Sequence, residues 1–129
     1  MERIKLLLVD DEPSIRRGLR MRLALEPDVE VVGEAADGSA AVALARSLAP
    51  RVVLMDVEMP IMNGIEATIE IVSQAPHPAV VVLSMHDDAA TQDRARKAGA
   101  AEFVAKHRMD DTLVTAIRRA ASRGGRDHI

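Results

Sequence analysis

Four polar sites along this chain each follow directly on a short apolar run. Asp10 and Asp11 follow Leu6–Val9, Asp56 follows Val52–Met55, Ser84 follows Val80–Leu83, and Lys106 follows Phe103–Ala105. Runs this short, and rich in Val and Leu, read as strands buried on both faces. Between them lie segments with apolar residues three and four apart. Ile15, Leu19 and Leu23 form one such face, and Ala41, Leu44, Ala45 and Leu48 a second. Ile65, Ile69 and Val72 (with Thr68) form a third, and Leu113, Ala116, Ile117 and Ala120 the last. That spacing is one face of a helix. Val29-Glu30-Val31 alternates apolar and polar, as an edge strand does. The result is β-α repeated five times, which predicts an α/β fold: a parallel five-stranded sheet with helices on both faces. With strand order 2-1-3-4-5, the first and third strands flank the switch point where ligands bind, beyond the strands' carboxyl ends. Those two strands carry Asp10, Asp11 and Asp56.

Punctuation sets the boundaries. Pro13 suits the first turn of a helix that runs to about Leu25, where Pro27-Asp28 breaks it. The second helix ends near Pro50, and Met59–Gly64 is a loop. Pro76 and Pro78 stop the third helix. His86-Asp87-Asp88 caps a fourth helix that ends at about Ala98, before Gly99. That helix is Ala-rich and is expected to be the least firmly packed. Residues 1–122 make one domain, and 123–129, rich in Gly and Arg, read as a flexible tail or the start of an effector linker.

Composition narrows the function. A length of 129 residues suits a single domain. With 48% hydrophobic and 29% charged residues, the chain is globular rather than disordered. Cysteine is absent, which removes disulfides and thiolate metal sites. The apolar runs are too short to span a bilayer, and the N-terminus lacks the apolar segment of a signal peptide, so a cytoplasmic protein without a membrane partner is expected. A net charge of −3 and a single aromatic, Phe103, argue against nucleic-acid binding by this chain itself.

The clustered acids carry the chemistry. Two carboxylates about 4 Å apart repel by roughly 4 kcal/mol at an effective dielectric near 20. Three together need a cation or raised pKa values. An oxygen-only site of this kind suits Mg²⁺ or Mn²⁺ with a phosphate oxygen. The Lys106 ammonium and the Ser84 hydroxyl add the donors that a phosphoryl group needs in transfer. A central carboxylate is itself a competent nucleophile.

At this point the residues carry a resemblance. Asp10-Asp11, the stretch Asp56-Val-Glu-Met-Pro-Ile-Met-Asn-Gly64, Leu83-Ser-Met-His-Asp87 and Lys97-Ala-Gly-Ala-Ala-Glu-Phe-Val-Ala-Lys106 stand in order at spacings similar to those of two-component response-regulator receiver domains. The likeness covers residues 3–122. The Leu-Ser-Met-His-Asp stretch resembles the NarL/FixJ-like branch, whose members usually carry a LuxR-type helix-turn-helix domain. The resemblance implies a flavodoxin-like (βα)5 three-layer sandwich. It implies that Asp56 takes a phosphoryl group from a sensor histidine kinase. Asp11, Asp56 and the backbone carbonyl of Glu58 would hold Mg²⁺, with Asp10 acting through water. Lys106 and Ser84 would bind the phosphoryl group, and Ser84 and Phe103 would move as the switch. The surface of the fourth helix, fifth strand and fifth helix would then change partners, with a homodimer as one outcome. DNA would be reached only through an effector domain outside this chain.

Two positions depart from the pattern. His107 follows Lys106 where many receivers have a cis proline, and a cis bond to a non-proline costs about 3 kcal/mol, so this loop is expected to differ. Met85 stands where many have a small residue and is expected to modulate access to Asp56. Simpler readings exist for single residues. Asp10-Asp11 are also plausible helix caps, Lys106 a solvated loop lysine, Phe103 a core aromatic, and Arg118, Arg119 and Arg123 a solvated helix end. Two other functions compete: an unphosphorylated interaction module, and a small aspartyl-nucleophile phosphatase. In haloacid-dehalogenase enzymes the second acid, two residues on, is an Asp; here it is Glu58.

Overall fold

The computed structural model describes residues 2–123. Each apolar run is a strand and each periodic segment a helix. In chain order they are β1 (Ile4–Val9), α1 (Pro13–Leu23), β2 (Val29–Ala35), α2 (Gly38–Leu48), β3 (Val52–Asp56), α3 (Gly64–Val72), β4 (Ala79–Ser84), α4 (Ala89–Ala98), β5 (Glu102–Ala105), a 3-10 turn (Lys106–Arg108) and α5 (Met109–Arg123). All strand pairs are parallel, in the order β2-β1-β3-β4-β5. Arg123, where the expected tail begins, closes α5, and residues 124–129 lie outside the described ones. Among the described residues, no helix is long and apolar enough to cross a membrane.

The central strands are apolar throughout because both of their faces are covered. Leu6 and Leu8 point to one side with Leu54, Val81 and Leu83, against Leu19 and Leu23 of α1 and Leu113 and Ile117 of α5. Leu7 and Val9 point to the other with Val53, Met55 and Val82, against Ala41 and Ala45 of α2, Ile65 and Ile71 of α3, and Ala95 and Ala98 of α4. Alternation along each strand thus divides the core into two half-cores. α4 gives its half-core only Ala95 and Ala98 as apolar residues, as its Ala-rich sequence requires.

Local chemistry sets the ends. Asp37, Asn63 and Asp88 each cap a helix through their side chains, and Asn63 forms a reciprocal capping box with Glu66. Gly99 ends α4 at φ 105°, a conformation open to glycine. α1 ends at Leu23, two residues before the expected Leu25. β2 is longer than the three residues expected, since Glu30, Gly33 and Glu34 are held at the sheet edge by pairing with β1 rather than by burial of apolar side chains.

Candidate functional site

The strand order brings Asp10, Asp11, Asp56, Ser84 and Lys106 to the same end of the sheet. Asp10 follows β1, Asp56 ends β3, Ser84 ends β4, and Lys106 follows β5. Asp10 and Ser84 are fully buried and Asp56 is 1% exposed. Oxygens of Asp10, Asp11 and Asp56 lie within 4.8 Å of one another, an arrangement able to hold a metal ion.

Lys106 supplies the positive charge. Its Nζ is 2.8 Å from Asp56 Oδ1 and 3.5 Å from Asp10 Oδ2. The Lys106 ammonium is the charge partner of Asp56 Oδ1, which accepts from no other group among the described residues. One ammonium against three carboxylates leaves the cluster net negative. Burial pushes the Asp56 carboxyl up to about 6; Lys106 opposes this, while the charges of Asp10 and Glu58 add to it. For Lys106 burial works to lower the pKa, but Asp56 and Asp10 prevail and hold the ammonium above its ordinary value. An acid cluster this charged, with three carboxylates around one ammonium, fits a hard divalent cation.

Backbone contacts fix the geometry. Asp10 Oδ1 accepts from the Glu12 N–H at 3.0 Å. Arg16 Nη1 donates to the Asp10 carbonyl at 2.7 Å, and its Nε donates to Glu34 Oε1 at 3.1 Å, which ties the acid pocket to α1 and β2. The Val57 N–H bonds the Leu83 carbonyl at 3.0 Å and locks the ends of β3 and β4 together. Gly64 lies against the backbone of Asp56: a Cβ there would stand 2.0 Å from the Asp56 carbonyl oxygen. Only glycine allows α3 to start so close to the Asp56 backbone.

Lys106 reaches the pocket without a proline after it. Lys106–Arg108 form the 3-10 turn, and among the described residues the one cis peptide is Ala75–Pro76. Met85 stands at the rim, 69% exposed, with its N–H 3.4 Å from Glu58 Oε1. Phe103 is half-buried, packed on the α2–α3–α4 half-core beside a shallow groove of about 390 Å³ that Gln92, Arg96 and Ala100 help to line. The Arg118 guanidinium pairs with Glu26 and Asp28, and Arg119 and Arg123 pair with Glu102, so these arginines tie α5 to its neighbours.

One contact could not be read from the sequence. In the receiver reading Glu58 was expected to contribute its backbone carbonyl, yet its carboxylate reaches β4: Ser84 Oγ donates to Glu58 Oε2 at 3.0 Å. The His86 N–H in turn donates to Ser84 Oγ at 3.0 Å. An acid two residues beyond Asp56 was the only signal, and its direction depends on the path of the loop.

Comparison with known proteins agrees with this fold. The sequence pattern of the response regulator receiver domain matches residues 6–118. The chain is 37% identical to the transcriptional regulatory protein DegU of Brevibacillus brevis, over 98% of this chain and 53% of that protein. It is 42% identical to the transcriptional regulatory protein LiaR of Bacillus subtilis, over 94% of this chain and 57% of that one. The chain thus spans about half the length of these relatives. Among solved structures, the signal receiver domain of the putative response regulator NarL from Mycobacterium tuberculosis superposes with a TM-score of 0.89 at 34% identity, covering 95% of this chain and 98% of that one.

Proposed function

This chain belongs to the response regulator receiver domain family, and from that premise we propose that it is a phosphorylation-dependent switch whose acceptor is Asp56. The observation that carries the reading is the buried Asp56 carboxylate, set 2.8 Å from Lys106 and beside two further acids. The donor is a phosphohistidine of a sensor histidine kinase.

Each residue has a task. Asp56, with a pKa raised to about 6, is mostly ionised at neutral pH and is the nucleophile. Its oxygen forms the bond to phosphorus as the bond from phosphorus to the imidazole nitrogen breaks. Lys106 holds an oxygen of the transferred group. Asp11, Asp56 and the Glu58 carbonyl would hold Mg²⁺ (or Mn²⁺), with Asp10 contributing through water. Bound there, the cation supplies the charge that offsets the carboxylates and the phosphoryl oxygens. The Ser84 hydroxyl then donates to the phosphoryl group. Phe103 follows it inward, and α4, β5 and α5 present a changed surface. Met85 at the rim modulates access to Asp56.

The domain acts as a signalling unit rather than a turnover enzyme. Its output is transcription, the role that the regulators DegU and LiaR are named for, reached through a DNA-binding effector domain, and the site of action is the cytoplasm. Incubation with an acyl-phosphate donor and Mg²⁺ tests the reading. Wild type is expected to gain one hydroxylamine-labile phosphoryl mass, and Asp56→Ala none. An unmodified wild type, or multiple turnover of phosphate esters, would overturn it.

A further inference from the structure

The Ser84 hydroxyl has one proton, and in this structure that proton is committed. Ser84 Oγ donates to Glu58 Oε2 at 3.0 Å and accepts from the His86 N–H at 3.0 Å. A serine hydroxyl can donate only once. The second oxygen of Glu58 faces the Met85 N–H at 3.4 Å, so the carboxylate straddles the end of β4. Ser84 is fully buried, whereas Glu58 is exposed. From these contacts, and resting on the reading of Asp56 as phosphoryl acceptor, we infer that Glu58 is a positioning residue: its carboxylate holds the Ser84 hydroxyl in the unphosphorylated state and must release it before Ser84 can turn to a phosphoryl group.

Glu58 and the phosphoryl group are rival anions for one donor. A hydrogen bond to a charged acceptor is roughly twice as strong as one between neutral groups, so the rivalry shifts the balance of the switch. The effect has a signature that simple charge repulsion lacks. Repulsion between Glu58 and an incoming anion would persist without Ser84. Competition for the hydroxyl would not.

A double-mutant cycle separates the two. Wild type, Glu58→Ala, Ser84→Ala and the double variant are titrated with beryllofluoride in the presence of Mg²⁺, and the methyl resonance of Met85 and the amide resonance of His86 are followed. Glu58→Ala is expected to lower the half-saturating beryllofluoride concentration about fivefold in the wild-type background and less than twofold in the Ser84→Ala background. Glu58→Gln, which keeps the shape and a neutral acceptor, is expected to fall between wild type and Glu58→Ala. Equal changes in both backgrounds, or no change in the first, would overturn the inference while leaving the acceptor reading intact. A wild type that neither responds to beryllofluoride nor forms the hydroxylamine-labile adduct removes the acceptor reading, and this inference with it.

Discussion

Asp56 carries its charge at a cost to the fold. Burial, helped by Asp10 and Glu58 against Lys106, raises its carboxyl to about 6 from an unfolded value near 3.8. The folded chain therefore keeps a proton that the unfolded chain has lost. The stability linked to that proton is fully present below about pH 4 and is lost as pH rises through about 6. Asp56→Asn, which removes the charge, is expected to stabilise the cation-free protein by about 1 kcal/mol at pH 7.5 and by almost nothing at pH 4. Urea unfolding with a chelator at both pH values checks this; a lower midpoint for the variant at pH 7.5 would contradict it. Divalent cation acts on the same residues from the other side. Millimolar Mg²⁺ is expected to raise the Tm of wild type and to leave that of Asp11→Asn nearly unmoved, because a ligand stabilises only the state that binds it. Calorimetry with and without the ion distinguishes these outcomes.

The elements explain which features were legible. Buried strands announced themselves because β1, β3 and β4 need apolar residues on both faces, and helices because their faces repeat. Asp10, Asp11, Asp56 and Lys106 could then be placed, since strand ends in a parallel sheet converge by topology alone. The Glu58 contact with Ser84 could not, because a side chain after a strand is aimed by the loop that follows. Nor could two left-handed residues be read, although Gly99 could. Ala49 closes α2 at φ 47° and Ile61 sits at φ 69°, neither being a glycine. Ala49→Gly is expected to stabilise the protein by about 0.5–1 kcal/mol, since glycine adopts that conformation without the Cβ clash. Gly64→Ala should do the reverse and cost about 2 kcal/mol or more, because the new Cβ collides with the Asp56 carbonyl. Thermal unfolding of the two variants against wild type tests both signs. The same shift should displace the acceptor carboxylate, so Gly64→Ala should also slow formation of the Asp56 adduct.

At the scale of the whole molecule, the sheet separates two half-cores with different helices. The α1–α5 side is built on Leu19, Leu23, Leu113 and Ile117, whereas α4 gives the other side only Ala95 and Ala98. Rearrangement on phosphorylation is thus expected on the α4–β5–α5 surface, while α1, whose following loop is tied to α5 by Arg118 with Glu26 and Asp28, stays in place. If phosphorylation drives pairing of two copies, beryllofluoride with Mg²⁺ should double the mass in solution; an unchanged mass by light scattering would exclude a dimer of this chain. Hydrogen exchange in the same samples should speed or slow in α4 before α1. Phe103, half-buried opposite Val82 in the β4–β5 register, is the one phenyl ring in the chain, with no Tyr or Trp. The strong magnetic ring currents in this protein therefore have a single source. Every Val, Leu or Met methyl whose resonance they displace is a gauge of where that one ring stands, so a methyl spectrum reads the position of the switch without a label being added.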